Sequence, residues 1–323
     1  MNNLYIIGNG FDLFHGLDTS YESFANYLSC VNRDLYDLII KYYRLPDISI
    51  LKSMDNNYAK WSSFELAIAN LRYEEVLEDF AGSAADLSSE DFSDRDWHTY
   101  QIDMEIIIQK LTSNLISIFN DFISYTSYPN KNDISILNIK SESLFLNFNY
   151  TDTLEKYYSD YNNLICYIHG KSSKKSVKLI LGHGTEPSQF KSESPKPPYN
   201  LCEFELQKWR EFMSDSYDFS YQSAKNEILS YYFKTFKNSK LIIEKNIKFF
   251  NKMSLVESVY VLGHSISTVD INYFEAVVKH VKKDAIWYVT YYSDLEKQEH
   301  FKTLKALSIR EKYIFQIKMN ELK

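Results

Sequence analysis

Short apolar stretches recur at Leu4–Ile7, Ser143–Phe148, Leu164–Ile168, Val177–Leu181, Ser258–Leu262, Ala285–Tyr291 and Tyr313–Met319. Runs that are apolar on both faces, bounded by turn or helix signals, predict parallel strands covered by helices. Between them the period changes. Met104, Ile107, Ile108, Leu111, Leu115, Ile118, Phe119 and Phe122 recur at intervals of three and four, which predicts one long helix from about His98 to Tyr125. Thr19 followed by Glu22 reads as a capping box for a helix carrying Tyr21, Phe24, Ala25 and Leu28. Further helices are expected over roughly Tyr217–Phe250, Val269–Val281 and Asp294–Leu307. The serine-rich, acidic stretch Ala84–Asp96 reads as a surface connection, and the proline-bearing Pro187–Asn200 as a long loop of the kind that binds a ligand or acts as a lid.

Strand signals therefore fall in three separate parts of the chain. The expected architecture is a single discontinuous α/β domain with a Rossmann-like, mostly parallel sheet. Its core comprises residues 1–16, 140–185 and 255–323. A helical insertion spans 17–139, and a loop and helical insertion spans 186–254. No internal repeat interrupts this pattern.

Composition narrows the function classes. With 323 residues, 45% of them hydrophobic, and 27 tyrosines and 21 phenylalanines, the chain can bury a large core and is not of disordered composition. A formal net charge of −7 opposes general nucleic-acid coating, and Lys171–Lys175 reads as a solvated loop. Cys30, Cys166 and Cys202 are scattered, without metal-ligand spacing, as in a reducing cytoplasm. The three residues before the first strand are too few for a charged leader, and no apolar run reaches the roughly 18 residues of a membrane span. A soluble cytoplasmic protein is expected.

The candidate chemistry sits where strands end. Gly8-Asn9-Gly10-Phe11-Asp12 follows the first strand as a tight turn opening a helix. Glycines there let backbone approach a phosphate, whose charge the helix N-terminus would hold. Asn149 follows the second strand, His169-Gly170 the third, and Gly263-His264-Ser265 a later one. His183 lies between Gly182 and Gly184. Asp12 either touches ligand or caps the helix, Asn149 either serves the site or caps the helix starting near Thr151, and His169 is either functional or a satisfied core histidine. No carboxylate or cysteine accompanies the histidines at ligand spacing, so no metal is expected. Gly263-His264-Ser265-Ile266-Ser267 lacks the second glycine of a hydrolase elbow.

Taken together, Gly8-Asn9-Gly10-Phe11-Asp12-Leu13 with His15-Gly16-Leu17 and Thr19-Ser20-Tyr21, Phe148-Asn149-Tyr150-Thr151 with Leu154-Glu155, Ile168-His169-Gly170, Gly182-His183-Gly184, and Gly263-His264-Ser265 with Asp270 and Tyr273-Phe274 resemble the AbiH-type abortive-infection family, which bacteria use against phage. The order of these motifs also resembles, more distantly, the sirtuin-like NAD-consuming fold. That second resemblance implies NAD as substrate or ligand, with Asn149 orienting ribose and water and His169 as base. Gly8, Asn9, Gly10, Phe11, Asp12, His183, Gly263, His264 and Ser265 are the expected cofactor-binding residues. Thr151 stands where that motif has an acid, and Leu13 where it has a third glycine. The expected function is an antiphage effector that binds and cleaves NAD or a related nucleotide. The alternatives are a catalytically silent nucleotide sensor and a nuclease toxin, which the acidic chain opposes. Implied partners are a nucleotide, a second copy or another defence protein, and a phage-derived trigger, with no membrane.

Overall fold

The computed structural model describes residues 1–49, 60–86, 88, 90, 92–140, 142–158, 164–174, 178–190, 196–215 and 218–322. Six strands, β1 (Asn3–Ile7), β2 (Leu144–Asn147), β3 (Leu164–Tyr167), β4 (Ser258–Leu262), β5 (Ile286–Thr290) and β6 (Ile314–Ile317), form one sheet in the order β3-β2-β1-β4-β5-β6. All neighbouring pairs are parallel, with Ile7 opposite both Asn147 and Leu262. This is the doubly wound order of dinucleotide-binding folds, whose topological switch point lies between β1 and β4. The fold is α/β and Rossmann-like, with helical insertions.

The strands are apolar on both faces because both faces are covered. Leu4 and Ile6 join one core with Leu144, Leu146, Val259 and Val261, while Tyr5 and Ile7 join another with Phe145, Tyr260 and Leu262. On the second face the rings of Phe145, Tyr5, Tyr260, Tyr288 and Phe315 stack across five strands, with successive centroids 5.1, 4.7, 4.9 and 5.6 Å apart. Such cross-strand aromatic pairs fix register as well as burying area.

Between β1 and β2 come α1 (Asn9–Phe14), α2 (Tyr21–Val31), α3 (Arg33–Tyr43), α4 (Phe64–Ile68), α5 (Tyr73–Asp79), α6 (Asp96–Gln109) and α7 (Leu115–Ser124). The helix α8 (Thr153–Tyr157) precedes β3; α9 (Glu203–Asp215), α10 (Phe219–Lys234), α11 (Ser239–Lys245) and α12 (Ile247–Phe250) precede β4. Then α13 (Ile271–His280) and α14 (Asp294–Ala306) follow β4 and β5. The apolar stripe read from His98 to Tyr125 is realised as α6 and α7 joined by one π-helical turn, Lys110–Asn114. Met104, Ile107, Ile108 and Leu111 pack there with Ala224, Ile228, Tyr231 and Tyr232 of α10.

The two insertions thus share one core, which also takes in Tyr150, Leu179 and Leu181. Tyrosine hydroxyls join them: Tyr43 and Tyr231 lie 2.6 Å apart, Tyr231 donates to Ile68 O at 3.0 Å, and Tyr232 donates to Leu71 O at 2.9 Å. A buried phenol needs such a partner, so these contacts specify how the insertions meet.

Some local expectations change. The cap of α2 is Ser20, which accepts from Ser23 N, because the Thr19 hydroxyl is spent on Asn9. Residues 178–181 form no strand; Ile180 N donates to His169 O, and Val177 lies outside the described residues. The helix read over Tyr217–Phe250 is three helices, with Tyr217 outside the described residues. Within Pro187–Asn200, residues Pro187–Phe190 form a 3-10 turn, and 191–195 are not described.

Candidate functional site

At the switch point the β1 and β4 turns are pressed together. Gly8 N donates to Leu262 O at 3.0 Å, and Gly10 N donates to Gly263 O at 2.8 Å. A Cβ on Gly8 would lie 2.5 Å from His264 Cα, and one on Gly10 would lie 2.7 Å from Gly263 Cα. Glycine at positions 8 and 10 is therefore required by close approach of protein backbone. Gly263, with φ +63°, occupies the left-handed region where a side chain is strained. Asn9 is exposed at this rim and ties down the next loop, receiving a bond from the Thr19 hydroxyl at 2.8 Å and donating to Thr19 O at 3.1 Å. Phe11 is buried against His15 and Tyr158, and Ser265 is exposed.

Below this rim lies a first polar cluster. Asp12 sits inside α1, whose N-cap is Gly8, so it is not the cap. Its Oδ2 accepts from the Thr151 hydroxyl at 2.7 Å, and Thr153 donates to Thr151 at 3.0 Å. Thr151 thus binds a carboxylate supplied by α1. Burial raises the Asp12 pKa to about 6. Asn149 belongs to the same region: its amide donates to Gly8 O at 3.1 Å, and its backbone N–H donates to Asn147 Oδ1. The N-cap of α8 is Asp152, so Asn149 is not a helix cap.

A second cluster centres on Asp270. His169 Nε2 lies 3.7 Å from Asp270 Oδ1, and His264 Nε2 lies 3.6 Å from Asp270 Oδ2. His169, His264 and Asp270 are only 2, 5 and 7% exposed. His264 Nδ1 accepts from Ile266 N at 2.9 Å, which puts the ring proton on Nε2, facing Asp270. That bond holds Ile266 at φ +49°, a costly conformation for a β-branched residue. The Phe148 ring packs between the histidines, 5.2 Å from His169 and 4.4 Å from His264. Burial pulls His264 down to about 3 and His169 well below its ordinary value, so both rings are neutral. Burial likewise raises the Asp270 carboxyl, with the charge of Lys237 opposing.

The insertions roof this cluster. Lys237 Nζ lies 2.7 Å from Glu65 Oε1, a buried ion pair. The Tyr21 hydroxyl donates to the same Glu65 oxygen at 2.9 Å. Burial raises Glu65, and Lys237 opposes that rise. His183 lies apart from the other two histidines, its ring packed among Phe190, Tyr232 and Phe236. Its backbone positions Lys237 instead: His183 N donates to Thr235 O, and Lys237 N donates to His183 O. Gly182 permits this, since a Cβ there would lie 1.9 Å from Thr235 O.

The structure therefore brings together the four strand ends and sorts their side chains. His169 and His264 meet at Asp270, Asn149 and Asp12 lie beside Gly8, Asn9 and Ser265 stand at the rim, and His183 acts through its backbone. Sequence reasoning quoted Asp270 and Tyr21 without a role in the site, placed Glu65 only in a helical insertion, and passed over Lys237. Asp270 carries a usable signal, six residues after the His264 turn at the head of a helix. Glu65 and Lys237 carry none. Among the described residues, no group of three or more His, Cys, Asp or Glu side chains is disposed to hold a metal ion.

A parallel sheet of this order with polar side chains at the carboxyl ends of adjacent strands defines a doubly wound α/β protein with a switch-point site. The family described as "Bacteriophage abortive infection AbiH" matches residues 4–291, and the chain belongs to that family of phage-defence proteins. Neither a curated protein nor a solved structure matches the chain. Among the described residues, no helix is long and apolar enough to cross a membrane.

Proposed function

We propose that the chain is an antiphage effector whose switch-point site binds a nucleotide and hydrolyses its N-glycosidic bond, with NAD as the substrate. The observation that carries this reading is the meeting of His169, His264 and Asp270 beneath the carboxyl ends of β1, β2, β3 and β4, within 3.7 Å of one carboxylate. In the proposed step the C1′–N1 bond breaks, and its electron pair stays on nicotinamide, which leaves neutral. A water oxygen then bonds to C1′, and the water proton passes to a ring nitrogen of His169. The products are nicotinamide, ADP-ribose and a proton. A leaving group that departs neutral needs no strong acid. A neutral imidazole, a carboxylate near a developing cation and exclusion of bulk water supply the rest.

Closure of the resting site fits an effector that waits for a signal. A phage-derived trigger, a second copy or another defence protein would act by moving the insertions that carry Glu65 and Lys237. The same closure favours a second reading, a catalytically silent nucleotide sensor, since the Gly10 amide at the head of α1 is already bonded to Gly263 O.

Incubation of the purified chain with NAD, with and without lysate from infected cells, separates the two. Nicotinamide release that disappears in His169→Ala supports hydrolysis. Nucleotide binding without release, and full phage protection by an Asn149→Ala and His169→Ala double variant, supports the sensor and rejects hydrolysis.

A further inference from the structure

The polar atoms around Asp270 are spaced for something to sit between them. His169 Nε2, Asp270 Oδ1 and the Tyr273 hydroxyl are all buried and have no hydrogen-bond partner. Buried polar atoms are ordinarily paired, and three orphans in one place mark a site built for another group. The His169 and Tyr273 rings lie 5.4 Å apart, edge to face, so Tyr273 packs beside the His169 ring. The separations between Asp270 and the histidines, 3.7 and 3.6 Å, are too long for direct hydrogen bonds. They suit an inserted oxygen, which can lie about 2.8 Å from both neighbours at once.

There are two such gaps, one at each oxygen of the same carboxylate. Two hydroxyls on adjacent carbons of a sugar present that spacing, and a carboxylate receives both. The histidine on each side supplies the second partner of each hydroxyl. We infer that Asp270 holds the vicinal diol of a ribose, with His169 and His264 as the flanking partners, so that the ligand is a nucleotide with a free ribose 2′,3′-diol. The inference rests on the nucleotide reading above and names the group that recognises the sugar. It also supplies a carboxylate to the site by a route that Thr151 does not, from the head of α13.

The test compares NAD with its analogue lacking the 2′-hydroxyl of the nicotinamide ribose, on the full chain purified from phage-infected cells. Binding is read by calorimetry in the cold, and nicotinamide release by chromatography. The wild type is expected to bind the analogue about ten- to a hundredfold more weakly than NAD, the usual loss for a hydrogen bond to a charged group. Asp270→Asn is expected to bind NAD more weakly and to discriminate less than about threefold. A merely structural carboxylate would change stability without erasing that discrimination. Should Asp270→Asn not fold, Asp270→Ser takes its place, with the same loss of discrimination expected. Equal binding of NAD and analogue by the wild type overturns the role of Asp270 and leaves hydrolysis standing. Diol-selective binding without nicotinamide release rejects hydrolysis and retains Asp270. No binding of NAD rejects both.

Discussion

Lys237 Nζ lies 2.7 Å from Glu65 Oε1, and the two side chains come from insertions on either side of β2 and β3 in the chain. The lysine side chain is only 1% exposed, so the pair is a buried link between the two halves of the helical layer. Removing one member leaves a buried charge uncompensated, whereas removing both charges leaves a neutral contact. Lys237→Met is expected to cost about 3–5 kcal/mol in urea unfolding, and Lys237→Met with Glu65→Gln to recover most of that loss. An unchanged single variant would show that the pair does not join the insertions.

The β1 turn depends on backbone contact. Gly8→Ala drives a Cβ to 2.5 Å from His264 Cα, where no flexible side chain can give way. A loss on the order of 3 kcal/mol is expected. Gly82→Ala meets nothing within 4 Å and serves as the control, with a change under about 1 kcal/mol. Denaturant midpoints for the pair measure the contrast.

Asp12 gives a pH signature. Burial lifts its pKa from 3.8 to about 6, so the folded chain binds a proton that the unfolded chain has lost. Its favourable contribution is complete below 3.8 and disappears as pH rises through about 6. Asp12→Asn keeps an acceptor for Thr151 and cannot titrate. The stability of Asp12→Asn relative to wild type is expected to rise by roughly 3 kcal/mol from pH 3.8 to pH 7, read from urea curves at each pH.

His264 works in the opposite direction. Its folded pKa is pulled from 6.5 to about 3 by burial, so the unfolded chain takes up a proton first. The stability it contributes is present above 6.5 and falls as pH drops toward 3, at about 1.4 kcal/mol per unit for this one group. His264→Asn retains an acceptor for Ile266 N and is expected to flatten that slope. A slope unchanged by the substitution would mean that His264 is protonated in the folded chain.

Much of the sheet was legible because each strand carries its own apolar run and its own turn. The glycines at positions 8 and 10 were read as letting backbone approach a phosphate, whereas what they approach is the backbone of Gly263 and His264. What local pattern could not show was the use of single polar residues across long separations. Glu65 lies within an aromatic helical stretch and Lys237 after a helix, and neither has a neighbour that announces the other. Thr19 misled as a cap because its hydroxyl is taken by Asn9, ten residues earlier. The Gly182-His183-Gly184 motif gave no sign of the backbone bonds that His183 makes with Thr235 and Lys237.

The most direct measurement follows NAD and nicotinamide by mass spectrometry in phage-infected cells expressing either the wild-type chain or His169→Ala. NAD is expected to fall before lysis in wild-type cells, with a matching rise in nicotinamide, and to hold steady in His169→Ala cells, which lose protection. Constant NAD in wild-type cells that still resist phage would contradict hydrolysis at this site.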